Sequence, residues 1–79
     1  MTQKEKLVDR FFKNPTSLRY SQVVTVLKFH GFIQIPAKGS HVKFKHPKLT
    51  TDLTIPVHKN ECKDFYKKEA KKSVEQVIS

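Results

Sequence analysis

A chain of 79 residues is a single domain, and one this short buries only about 60 % of its unfolded surface, which leaves room for one modest core and no deep substrate cavity. Hydrophobic residues make up 37 %, including six Phe and two Tyr, which excludes a disordered chain, and no apolar run approaches the roughly 20 residues of a membrane helix. Sixteen Lys and Arg against seven Asp and Glu give a formal net charge of +9, and no acidic residue stands between Asp9 and Asp52, a span holding Arg10, Lys13, Arg19, Lys28, Lys38, Lys43, Lys45 and Lys48; such a field attracts polyanions such as nucleic acid, an acidic protein or an anionic membrane.

In chain order, Thr2 to Asn14 reads as a short helix with Leu7, Val8, Phe11 and Phe12 on one face, stopped by Asn14-Pro15. Ser21 is placed to cap a second helix, Gln22 to His30, carrying Val23, Val24, Leu27 and Phe29, with Gly31 just past its end. Three strands follow. Phe32 to Ala37 is apolar, and Lys38-Gly39-Ser40 is a turn. His41 to Lys45 alternates, with Val42 and Phe44 on one side and His41, Lys43 and Lys45 on the other. Leu53 to Val57 alternates again and puts Thr54, Pro56 and His58 on the second side. Asn60 to Ile78 reads as a last helix, with Asn60 as its cap, an apolar stripe of Cys62, Tyr66, Ala70, Val74 and Val77 or Ile78, and Lys63, Lys67, Lys68, Lys71 and Lys72 over the remainder.

The expected class is α+β, in the order α-α-β-β-β-α. Short connections favour a three-stranded antiparallel meander with the helices on one face. Parity then places His41 and His58 on the open face beside Lys43 and Lys45. The single Cys62 cannot form an internal disulfide, and Met1 to Arg10 has no signal-peptide core, so a reduced cytoplasm is expected.

From residue 17 to about 78 the sequence resembles the HicA-type (YcfA-like) mRNA interferase toxins. The resemblance is carried by SQVVTVLKFHGF (Ser21 to Phe32), KGSHVKFKHP (Lys38 to Pro47) and IPVH (Ile55 to His58) leading into a Lys-rich helix. It implies a fold like a double-stranded-RNA-binding domain and a ribosome-independent endoribonuclease that cleaves mRNA. It also implies a HicB-like antitoxin partner that covers the active site. The family's functional histidine lies in a Gly-Ser-His motif, here Gly39-Ser40-His41. Two positions depart from the usual pattern: Val42 stands where many members carry a second His, and Val57 separates Pro56 from His58. Residues 1–16 are a helical extension beyond the minimal domain, 17–79.

RNA brings its own nucleophile, the 2′-OH. Cleavage needs a proton-transfer group, which His41 supplies near neutral pH, and positive charge on the phosphorane, which Lys38, Lys43 and Lys45 supply. Gly39 lets the backbone approach phosphate closely, and Ser40 offers a hydroxyl in a turn. His46, next to Pro47, is read as a loop residue that touches RNA. His58 is read as a phosphate contact or second acid, against the commoner role of a turn residue. His30, in the last turn of its helix, is read as structural. No cofactor is expected, and the His and Cys spacing matches no zinc pattern. Two alternatives remain: a catalytically inactive RNA-binding module of the same fold, which reads A-form RNA by shape, and a basic protein-interaction domain with an acidic partner. DNA binding is disfavoured because no recognition-helix pair stands out.

Overall fold

The computed structural model describes residues 2–79. Helix α1 spans Gln3–Lys13, with Thr2 at its N-cap accepting from the Glu5 N–H at 3.2 Å. Pro15–Ser17 forms a single 3₁₀ turn. Arg10 clamps that turn by donating to the Ser17 hydroxyl at 2.9 Å and to the Ser17 carbonyl at 2.6 Å.

Helix α2 spans Tyr20–Phe29, so it begins two residues before the start expected at Gln22, and Ser21 is not its cap. The reason is tertiary. The Tyr20 N–H, an orphan donor of the first turn, is met at 3.1 Å by a Glu61 carboxylate oxygen 41 positions away, and the Gln22 side chain accepts from the Arg19 N–H at 2.9 Å. At the other end, Gly31 takes φ +89°. Its N–H donates to the Lys28 carbonyl at 3.1 Å and the Phe32 N–H to the Leu27 carbonyl at 3.0 Å, the paired bonds of a Schellman cap. The reversal turns Phe32 into the core, 4 % exposed.

Strands β1 (Ile33–Pro36), β2 (His41–Lys45) and β3 (Leu53–Pro56) form an antiparallel meander in that order. The register sets Ile33 against Lys45, Ile35 against Lys43, His41 against Pro56 and Lys43 against Thr54. Because side chains alternate, Phe44, Leu53 and Ile55 face inward and are buried, while Ile33, His41, Lys43, Lys45 and Thr54 are exposed.

Helix α3 spans Asp64–Ile78 and starts four residues after the expected cap, Asn60. Lys59 and Asn60 instead adopt left-handed conformations, φ 51° and 61°. They form a tight reversal closed by reciprocal bonds between His58 and Glu61 at 2.8 and 2.9 Å. Two successive positive φ angles are the signature of a type I′ hairpin turn, which Asn tolerates. Helices α2 and α3 pack against the inner side of the sheet, and α1 stacks on α2 and the 3₁₀ turn. Phe11, Leu18, Val23, Val26, Leu27, Phe44, Ile55 and Val74 are the largest fully buried side chains. The molecule is thus α+β in the order α-α-β-β-β-α.

Candidate functional site

The uncovered side of the sheet carries a shallow groove of about 530 Å³ lined by Ile35, Pro36, Ala37, Lys38, His41, Lys43, Lys45, Asp52 and Thr54. The β1–β2 hairpin builds one end of it. The Ala37 N–H donates to the His41 carbonyl at 3.2 Å, and Gly39 sits at the crest with φ +66°. A Cβ at Gly39 would meet nothing within 4 Å, so the backbone conformation, not crowding, calls for glycine there. Ser40 is half-buried, and its carbonyl accepts from the Val57 N–H at 2.8 Å, which joins the hairpin to the end of β3.

His41 is the first residue of β2, so the strand fixes its backbone while its imidazole stands exposed on the groove. Lys43 and Lys45 follow at every second position on the same side, and Lys38 approaches from the hairpin. Lys45 lies 3.9 Å from Asp52. The groove is therefore cationic along its middle strand and carries a carboxylate only on its β3 side.

The other three histidines stand apart from this group. His58 lies beyond the end of β3, outside the lining of the His41 groove, and lines a separate depression of about 370 Å³ with Pro56, Glu61, Cys62, Lys63 and Tyr66. The His46 Nε2 donates to the His30 carbonyl at 3.0 Å, and its Nδ1 accepts from the Lys48 N–H at 3.1 Å. Its ring packs 4.9 Å from that of Phe32. Nε2 thus fastens the β2–β3 loop to the end of α2, while Nδ1 closes the loop on itself. Lys48 ties the same loop to the end of α3 through the Val77 carbonyl at 3.3 Å. The His30 Nδ1 donates to the Val26 carbonyl at 2.8 Å, a helix-terminal bond. Among the described residues, no group of three or more His, Cys, Asp or Glu is placed to hold a metal ion, and no helix is long and apolar enough to cross a membrane.

One polar cluster joins residues that no local pattern connects. Lys67 is only 6 % exposed and pairs with Glu61 at 3.1 Å. The same carboxylate oxygen accepts from the N–H groups of Tyr20 and Cys62. A signal did exist: Lys67, Ala70, Val74 and Val77 fall at the 3-4-3 spacing of a buried helical stripe. The Cys62 N–H bond, with Lys67 as a weaker contributor, holds the Glu61 carboxyl below the usual carboxylate range. Burial pushes the Cys62 thiol and the Tyr20 phenol up.

A carboxyl whose folded-state pKa is depressed stabilises the fold above its unfolded value, and that contribution is lost as pH falls through the folded value. Wild type should therefore lose stability as pH drops below about 4. Glu61→Gln should be less stable at pH 7, by roughly 1 kcal/mol because the Glu61 side chain is 46 % exposed and solvent screens the pair, and should show a flatter acid limb in urea titrations. Equal stability of the two proteins at pH 7 would remove Glu61 from this role.

A family model described as the HicA toxin of bacterial toxin–antitoxin systems matches residues 20–75. That segment begins at the first residue of α2, takes in the whole sheet and the Gly39-Ser40-His41 hairpin, and ends within α3. Comparison with curated proteins and with solved structures finds no match. With most of its length matched, and the groove histidine inside the matched segment, the chain belongs to the HicA toxin family of bacterial toxin–antitoxin systems.

Proposed function

We propose that the protein is a metal-independent endoribonuclease that cleaves mRNA in the cytoplasm, with His41 as its proton-transfer group and a HicB-like antitoxin as the partner that covers the groove. The observation that carries this reading is the exposed imidazole of His41 at the head of a lysine stripe in an open groove. A shallow basic groove suits a polymer laid across it better than an enclosed small molecule.

The residues divide the chemistry as follows. The His41 imidazole takes the proton of the ribose 2′-OH as that oxygen attacks phosphorus, or delivers a proton to the departing 5′-oxygen; solvent handles the other transfer. The bond to the 5′-oxygen breaks as the 2′ bond forms, which leaves a 2′,3′-cyclic phosphate and a 5′-OH. Lys43 and Lys38 offset the charge gathering on the phosphoryl oxygens. Lys45, shared with Asp52, contributes less. Gly39 keeps the hairpin crest bare for the approach of phosphate, and Ser40 offers its hydroxyl beside it. His58 and His46 are secondary RNA contacts at most, since one lies in a different depression and the other is held by two internal bonds. One imidazole is worth roughly 10²–10⁴-fold, enough for a slow enzyme acting on long mRNA.

Induced expression should arrest growth and deplete mRNA, and co-expression of the antitoxin should restore growth. Purified protein should bind RNA with log K falling against log salt at roughly 0.7–0.9 per phosphate contact. Folded protein accumulating in an untroubled culture would point to the inactive RNA-binding module. A salt slope near zero would point to the protein-interaction domain.

A further inference from the structure

The open face is chemically lopsided. Its middle strand carries His41, Lys43 and Lys45; its β3 side carries Asp52, 3.9 Å from Lys45; its β1 side carries Ile33 and Ile35, set directly across from Lys45 and Lys43. Ile33 is 62 % exposed, a large aliphatic surface beside a row of ammonium groups. Lys43 and Lys45 stand about 7 Å apart along one strand, so they can follow successive phosphates of a single chain. The Asp52 carboxylate repels that chain from the β3 side. A strand whose backbone follows β2 therefore turns its bases toward β1.

Resting on the ribonuclease reading, we propose that Ile33, at the β1 margin of the groove, and the half-buried Ile35 within it form a nucleobase platform, which makes the open face selective for unpaired RNA over duplex. A duplex offers this face only phosphates and riboses, which leaves the isoleucines against a polar surface; an unpaired strand offers base faces that bury them. Lysines hold the backbone whatever the sequence, while the platform rewards the presence of a base.

The test uses short uncleavable 2′-O-methyl strands and fluorescence anisotropy. Three forms are compared: the base-bearing single strand, the same backbone with abasic residues, and the same strand annealed to its complement. Wild type should bind the base-bearing strand about tenfold more tightly than the abasic one, and more tightly than the duplex. Ile33→Ser, at an exposed position, should close most of that gap and leave the affinity and salt slope of the abasic strand unchanged. Ile33→Phe, which enlarges the platform, should widen the gap. Equal binding of all three forms, or a gap untouched by either substitution, overturns the platform. So does an Ile33→Ser protein that keeps the gap but escapes its antitoxin, because the flank then serves the protein partner. Absence of salt-dependent binding even to the abasic strand is a different failure, that of the ribonuclease reading itself.

Discussion

Phe11→Ala should lower folding stability by about 3–5 kcal/mol, the usual cost of deleting a fully enclosed aromatic ring. Residues 1–16 lie before the matched family segment, yet Phe11 is 0 % exposed and belongs to the same core as Phe44, Ile55 and Val74. Its ring meets that of Phe12 edge to face at 5.6 Å, and Phe12 in turn meets the His30 ring at 6.0 Å. Helix α1 therefore reaches the end of α2, and through the His46 bond to the His30 carbonyl it reaches the β2–β3 loop. A domain of this length has a total stability of roughly 4–12 kcal/mol, so the substitution should leave a large unfolded fraction at moderate urea. Urea titration followed by circular dichroism measures it. An unchanged midpoint would mean that α1 is dispensable and that the domain begins near residue 17.

His41→Ala should behave in the opposite way. Its side chain is exposed and fills no space in the core, so stability should change by no more than roughly 0.5 kcal/mol. RNA binding should persist, because Lys38, Lys43 and Lys45 carry the charge that holds phosphate. Cleavage should fall by roughly 10²-fold or more once the proton-transfer group is gone, and growth arrest should vanish with it. The expected phenotype is a protein that is folded, binding and inactive. A variant that unfolds would make His41 structural. One that cleaves at the wild-type rate would move the chemistry elsewhere, with His58 the next residue to substitute.

The sheet and the groove were legible in the sequence because period-two alternation is a local property. His41, Lys43 and Lys45 stand on the predicted face, opposite Phe44. The end of α2 was also legible, since Gly31 announces a left-handed cap. Most of what escaped depended on partners distant along the chain; the Lys59-Asn60 turn is the local exception. The start of α2 is drawn back to Tyr20 by a carboxylate that arrives from residue 61. The start of α3 is delayed because Lys59 and Asn60 turn the chain, and β3 ends at Pro56, two residues short of His58. Lys67 was assigned to the solvated face because lysine is seldom buried without a partner; its partner, Glu61, lies outside the helix. His46 was read as a free loop residue, whereas the fold brings its ring to Phe32 and to the carbonyl of His30, 16 positions earlier.

On the proposed mechanism, one exposed imidazole and a lysine stripe cleave RNA through its own 2′-OH. The most direct measurement incubates the purified protein with a long RNA in excess EDTA and determines the termini of the fragments. Cleavage in EDTA with 2′,3′-cyclic phosphate and 5′-OH ends is the expected result. RNA that stays intact until a divalent cation is added, or fragments bearing 5′-phosphate and 3′-OH ends, would contradict it.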